Sequence, residues 1–186
     1  IDCFRTALVA GFLVAPAGAL SLDIVTLPAG TGVGALAVAA DGTPWFSAQF
    51  SGAVGHVGSS GQVVFHEFPS RGTQPLGLAL HPDGSAWSAD LSGERLGHVG
   101  ADGKVTETTL AKPGGEPTGI AVATDGAVWF TLPALDLVGR RAPDGAIVEH
   151  RLPEGSQPTG IVAGINGSVW VVERRGNRIV RLTQSG

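Results

Sequence analysis

Four tryptophans divide this chain into equal steps. Asp-Gly-x-x-Trp occurs at Asp41-Gly42…Trp45, Asp83-Gly84…Trp87 and Asp125-Gly126…Trp129, and Asn166-Gly167 precedes Trp170 in the same way. The tryptophans are 42, 42 and 41 residues apart. A period of that length, with several short extended segments in each unit, is the mark of β-propeller blades. Other landmarks keep the same step. Glycine recurs at Gly34, Gly77, Gly119 and Gly160, the last three following Pro75, Pro117 and Pro158 by two residues. A second turn recurs at Ser60-Gly61, Asp102-Gly103, Asp144-Gly145 and Ser185-Gly186. A residue present in every unit serves the fold before it serves chemistry, so these landmarks are weak pointers to function.

The third unit shows how one step folds. Gly119–Ala123 is small and apolar on both faces, as suits a buried innermost strand. Thr124-Asp125-Gly126 supplies a hairpin turn. Ala127–Thr131 carries Trp129, whose large apolar surface suits a place between neighbouring blades. Leu137–Arg141 is a third strand, and Pro143-Asp144-Gly145 turns the chain into Ala146–Leu152, which alternates as a half-exposed outer strand should. The unit is a four-stranded antiparallel meander that cannot cover both of its own faces, so neighbouring units must.

The expected fold class is therefore all-β: a β-propeller of four-stranded antiparallel blades, four repeats over residues 21–186, forming an open arc or a fragment of a larger ring. The innermost strands are expected at Gly34–Ala39, Gly77–Leu80, Gly119–Ala123 and Gly160–Ala163. The composition agrees, with 29 Gly and 12 Pro to punctuate short strands and no long helix-forming stretch. Leu22–Pro28 (LDIVTLP) matches the outer strand AIVEHRLP, so an outer strand stands before the first full unit. It either leaves the arc open or completes the blade that ends at Arg181. An open arc bares an apolar face at each end and predicts self-association.

Residues 1–20 read differently. The apolar run 6–20 follows Arg5 and ends in small residues around Ala15-Pro16-Ala17 and Ala17-Gly18-Ala19. It is too short for a stable membrane span and suits the core of a signal peptide, so residues 1–20 are expected to be an export-signal remnant and the protein to be exported, to a periplasm or the exterior. The chain opens on Ile1 and has no methionine, which points to a missing start. Cys3 is the one cysteine and has no internal partner. The net charge of −4 gives no pull toward nucleic acid, and the arginines of the last two units belong to a solvated edge.

The runs PTGIAVATDGAVWFT, GNRIVRL and DGAIVEHRLP together resemble the streptogramin lyase (virginiamycin B lyase) family, over roughly residues 22–186. The resemblance implies a seven-bladed propeller and a Mg²⁺-dependent elimination that linearises a cyclic depsipeptide antibiotic, with a histidine as base and a metal as Lewis acid. It also implies where the site residues stand: histidines directly after inner-strand prolines, one within Glu-Pro-His, and a second metal-binding Glu sixteen residues after the first. This chain departs from that pattern. Leu76, Thr118 and Thr159 fill the base positions, Glu116 is matched sixteen residues on by Leu132, and Glu173 is matched sixteen residues back by Gln157. The second unit pairs Gln74 with Asp90.

No catalytic residue is therefore assigned, and the chain as it stands is expected not to be an active lyase. Glu116 and Glu173 are the candidate metal residues, with Mg²⁺ the implied cofactor, and Asp90 is a third carboxylate near the channel mouth. Four of the five histidines keep the repeat step: His56 with His98, and His66 with His150. These and His81 belong to strands and turns away from the channel. Zinc-ligand spacing, a P-loop and a dinucleotide-binding glycine pattern are all missing from the sequence. The alternative to a lyase is a non-catalytic propeller that binds a small ligand, a glycan or a protein on its channel face, or a truncated fragment.

Overall fold

The Asp-Gly pairs turn the chain because each residue does a different job. Asp41, Asp83 and Asp125 accept the backbone N–H two residues on, at 2.9, 2.8 and 3.1 Å. The glycines that follow take the left-handed conformation that other side chains resist, with φ of +88°, +90° and +79°. Hydrogen bonding from Ser85 holds the Asp83 carboxyl down at about 2, so this turn stays anionic well into acid.

A computed structural model describes residues 9–10, 23–92 and 94–183. At the amino end, β1 (Val9–Ala10) pairs antiparallel with β2 (Ile24–Val25) in a small sheet of its own. The first blade follows as β3 (Val33–Val38), β4 (Pro44–Ala48), β5 (Ala53–Val57) and β6 (Val63–Glu67). The second is β7 (Pro75–Leu80), β8 (Ala86–Asp90), β9 (Arg95–Val99) and β10 (Val105–Thr109). The third is β11 (Ile120–Val122), β12 (Val128–Leu132), β13 (Leu137–Arg141) and β14 (Ile147–Arg151). The fourth has three described strands, β15 (Pro158–Ala163), β16 (Val169–Glu173) and β17 (Arg178–Leu182). All neighbours pair antiparallel in chain order, as the repeat predicts. Apart from Val9–Ala10 the proposed export segment lies outside the described residues, as do Cys3 and the Ser185-Gly186 turn.

Successive side chains on the second strand of each blade point to opposite neighbours. Trp87 packs with Ile120, Val128 and Phe130 of the third blade, and Trp129 packs with Ile161, Val169 and Val171 of the fourth. The four tryptophans thus sit on equivalent strand positions, and Trp45, Trp87 and Trp129 face the blade that follows. Their burial follows whether a described blade packs on them. Trp129 is 1% exposed, whereas Trp170, with no described blade after it, is 44% exposed. The other end mirrors this. Ile120, facing the preceding blade, is 7% exposed, and its counterpart Leu36 in the first blade is 69% exposed. The four blades form an arc, and among the described residues no blade covers either of its end faces.

The recurrent inner glycine has a physical cause. A Cβ on Gly119 would lie 2.1 Å from the Thr159 carbonyl oxygen, and one on Gly77 would lie 2.3 Å from that of Thr118. Innermost strands of adjacent blades converge at these points, and only glycine fits. In two blades a hydroxyl locks the convergence. Ser47 Oγ accepts from the Ala35 N–H and donates to the Leu76 carbonyl, at 2.8 and 2.9 Å. Thr131 Oγ1 does the same between Gly119 N–H and the Thr159 carbonyl, at 2.9 and 3.0 Å.

Histidines stack on three of the tryptophans. In the first blade Trp45, His56 and His66 form one stack, with His66 Nε2 3.2 Å from His56 Nδ1. Burial lowers the pKa of both rings from 6.5; Asp41 opposes this at His56, and the charge of His56 adds to it at His66. Burial also lowers that of His98, with Arg141 adding to the effect. A depressed histidine binds its proton less readily when folded, so its contribution is full above the unfolded value and is lost as pH falls from there through the lower folded value. The melting temperature is therefore expected to drop between about pH 7 and pH 5. His66→Phe should flatten that drop in thermal melts, and an unchanged slope would exclude the histidine stack as its source.

Candidate functional site

The starts of the inner strands, together with the ends of the second strands beside them, gather the residues singled out in the sequence. Glu116 precedes Pro117 in a left-handed turn with φ +52° and is exposed. Thr118 Oγ1 donates to the Glu116 carbonyl at 2.8 Å and so holds that turn. Val33, Leu76, Thr118 and Thr159 occupy equivalent positions at the inner-strand starts, and none has a side chain that titrates as a base near neutral pH.

Glu173 is of another kind. It ends β16 opposite Pro158 and Arg178, and it is 1% exposed. Arg178 Nε donates to Oε2 at 2.7 Å, while Oε1 is buried without a hydrogen-bond partner. Asp90 repeats the arrangement one blade pair earlier, also 1% exposed, with Arg95 3.5 Å from Oδ2 and the Gln74 N–H 2.7 Å from Oδ1. The same cross-strand position holds Ala48 and Ala53 in the first blade and Leu132 and Leu137 in the third. These arginines were missed in the sequence, though each stands five residues after its carboxylate, the spacing of a tight hairpin.

Gln157, which the sequence sets sixteen residues before Glu173, lies beside it. Its backbone is left-handed, φ +49°, and its Oε1 is buried with no hydrogen-bond partner. Asp136 pins it by accepting the Gln157 N–H at 2.7 Å and the Gly155 N–H at 2.8 Å. Those two backbone donors pull the Asp136 carboxyl below its usual range. At the opposite ends of the strands, a cleft of about 660 Å³ between the second and third blades is lined by His81, Trp87, His98 and Arg141, with the Arg141 guanidinium 4.8 Å over the Trp87 ring.

These positions can be set beside known proteins. The sequence profile of the virginiamycin B lyase family matches residues 15–186. The chain belongs to the virginiamycin B lyase family. Among solved structures it is similar to virginiamycin B lyase from Staphylococcus aureus, at 30% identity and a TM-score of 0.84, covering 91% of this chain and 58% of that one. A streptogramin B lyase structure matches at the same identity and TM-score, over 90% of this chain and 56% of that one. A catalytically inactive variant of the S. aureus enzyme with quinupristin matches equally well, over 92% and 59%. This chain thus spans less than three fifths of the length of these lyases. A Xanthomonas campestris gluconolactonase, at 19% identity and a TM-score of 0.65, shares the fold alone. No curated protein matches the sequence.

Magnesium, which the lyase family implies, demands a near-octahedral shell of oxygens. Among the described residues no group of three or more His, Cys, Asp or Glu could hold a metal. Glu116 is exposed on one blade and Glu173 is buried on the next, where the Arg178 cation already occupies one of its oxygens. By themselves Glu116 and Glu173 supply too few oxygens for that shell. The site does present two buried acceptors, Glu173 Oε1 and Gln157 Oε1, to any donor that reaches them.

Proposed function

We propose that this chain is a lyase-family propeller that binds a ligand at the inner-strand end of its channel and does not by itself open a ring. One observation carries the reading: Leu76, Thr118 and Thr159 fill the positions after Pro75, Pro117 and Pro158 at which the family resemblance expects a base. Elimination needs a group that removes a carbon-bound proton, and neither an alkyl side chain nor an unactivated threonine does so at neutral pH. A ligand N–H or O–H that displaces the side chains covering Glu173 Oε1 and Gln157 Oε1 would satisfy two buried oxygens, each of which costs about 1–3 kcal/mol when unpaired.

A cyclic depsipeptide of the streptogramin B type is the ligand class this reading favours, since the inactive S. aureus enzyme is described with quinupristin. The apolar run 6–20 supports an exported protein, so binding would take place outside the cytoplasm. Among the described residues no helix is long and apolar enough to cross a membrane. The test is quinupristin titrated into the purified chain, followed by tryptophan fluorescence and by chromatography of the drug, with and without Mg²⁺. Saturable binding without linearised product is expected, and Glu173→Gln should weaken it. Mg²⁺-dependent ring opening that disappears in Glu173→Ala would overturn the proposal.

A further inference from the structure

Polar residues that break the repeat gather in one place, the cleft between the second and third blades. At the turn that follows the inner strand, the blades carry Ala39, His81, Ala123 and Gly164. On the outer strands Val64, Thr106 and Val148 correspond, and so do His66, Thr108 and His150. At the end of the third strand Val57, Val99 and Leu182 correspond to Arg141. His81, Thr106, Thr108 and Arg141 are each the exception in their series, and all four line this cleft. Recurring residues serve the blade, and these four do not recur. The two blades that form the cleft are both complete four-stranded sheets.

One exception opens the cleft and another charges it. Between the first two blades His66 reaches across to the Gly103 turn, its Cε1 3.8 Å from where a Cβ on that glycine would stand. Thr108 is too short for the same reach. Val99, at the Arg141 position of the second blade, is buried in an apolar junction. Arg141 instead sets a guanidinium 4.8 Å over the Trp87 ring, with His98 stacked on that ring at 4.2 Å. Its Nε is buried without a hydrogen-bond partner, and Nη1 makes only a long bond to the Ala142 carbonyl, at 3.4 Å. Among the described residues no carboxylate stands within ion-pair distance of Arg141, whereas Arg140 beside it holds Asp125 at 2.7 Å. Asp83 is turned instead to the Ser85 N–H and to His81 Nδ1, both at 2.8 Å.

We propose that this cleft binds a small organic monocarboxylate, its oxygens held by the Arg141 guanidinium and the Thr108 hydroxyl. A guanidinium meets a carboxylate in matching plane and spacing, and a buried Nε–H without an acceptor gains by finding one. Thr106 and Thr108 stand two residues apart on β10, so both hydroxyls point to the cleft side of the strand. Pro82, Ala123 and Pro143 give apolar wall for the carbon body of the ligand. The volume of about 660 Å³ suits a small molecule. Charge narrows the class further. Asp83 and Asp125 also line the cleft and oppose a dianion such as phosphate, while a single negative charge is balanced by Arg141. The cleft lies at the opposite ends of the strands from Glu173 and Gln157, so this site stands whatever binds at the inner-strand end.

Benzoate is the probe, and benzamide is its uncharged counterpart of the same shape. NMR titration of the full chain is expected to show saturable benzoate binding with a Kd on the order of 1 mM, read at the Arg141 Nε–H signal. Benzamide should bind at least about tenfold more weakly. Two variants restore the repeat: Arg141→Val, as at Val99, and Thr108→His, as at His66. Each should weaken benzoate at least about tenfold while the chain still melts cooperatively. The benzamide comparison needs no variant and decides the matter if either one fails to fold. Benzoate that does not saturate, benzamide that binds as well, inorganic phosphate that binds more tightly, or an affinity unchanged in both folded variants would each overturn the monocarboxylate site.

Discussion

Trp129→Ala is expected to destabilise the dilute monomer by about 3–5 kcal/mol, and Trp170→Ala by only about 1 kcal/mol. The two residues occupy the same position of the repeat, so composition, strand and turn chemistry are held constant between them. What differs is the neighbour. Trp129 is enclosed by Ile161, Val169 and Val171 of the next blade, and its removal leaves a cavity in the junction. Trp170 keeps an open face with Arg181 over its ring. Urea unfolding of both variants reads the difference, and hydrogen exchange should show the fourth blade opening first in Trp129→Ala. Equal losses would mean that the fourth blade's outward face is covered in the monomer.

Gly119→Ala should cost about 1–3 kcal/mol or more, for a reason unconnected with turn conformation. The new methyl would stand 2.1 Å from the Thr159 carbonyl and 3.0 Å from Thr131 Oγ1, forcing apart the strands that this hydroxyl joins. Gly160→Ala meets only Val172 at 3.7 Å and should leave the monomer's stability within about 0.5 kcal/mol. Thermal melts of the pair test whether the repeated glycine records a close approach between blades.

The fold was legible because its signals are local and redundant. A turn aspartate, a glycine of positive φ and a tryptophan two residues into a strand each leave a mark in the sequence, and four copies multiply it. Strand limits came out within a few residues; β11, for example, runs Ile120–Val122 where Gly119–Ala123 was expected. The burial of the end copies was not legible, since Trp170 reads in sequence like Trp129. The site was only half legible. The missing bases at Leu76, Thr118 and Thr159 followed from the resemblance. The pairing of Glu173 with Arg178, and the orphaned oxygen of Gln157, depend on which face of a strand meets which neighbour, and no single-residue motif carries that.

The carboxylate–arginine pairs have a consequence for how the blades adhere. By strand alternation Asp90 points toward the first blade and Glu173 toward the third, while Leu132 points toward the second and Ala48 away from the arc's far end. Successive junctions therefore meet a face with a buried carboxylate paired inside its own blade, then an oily face, then a carboxylate face again, and the first blade's outward face is oily. The lattice of couplings has twice the period of the tryptophans. A one-dimensional description of unzipping needs two bond strengths, one at faces where a buried carboxylate meets a part-exposed arginine and one at apolar faces that weakens on cooling.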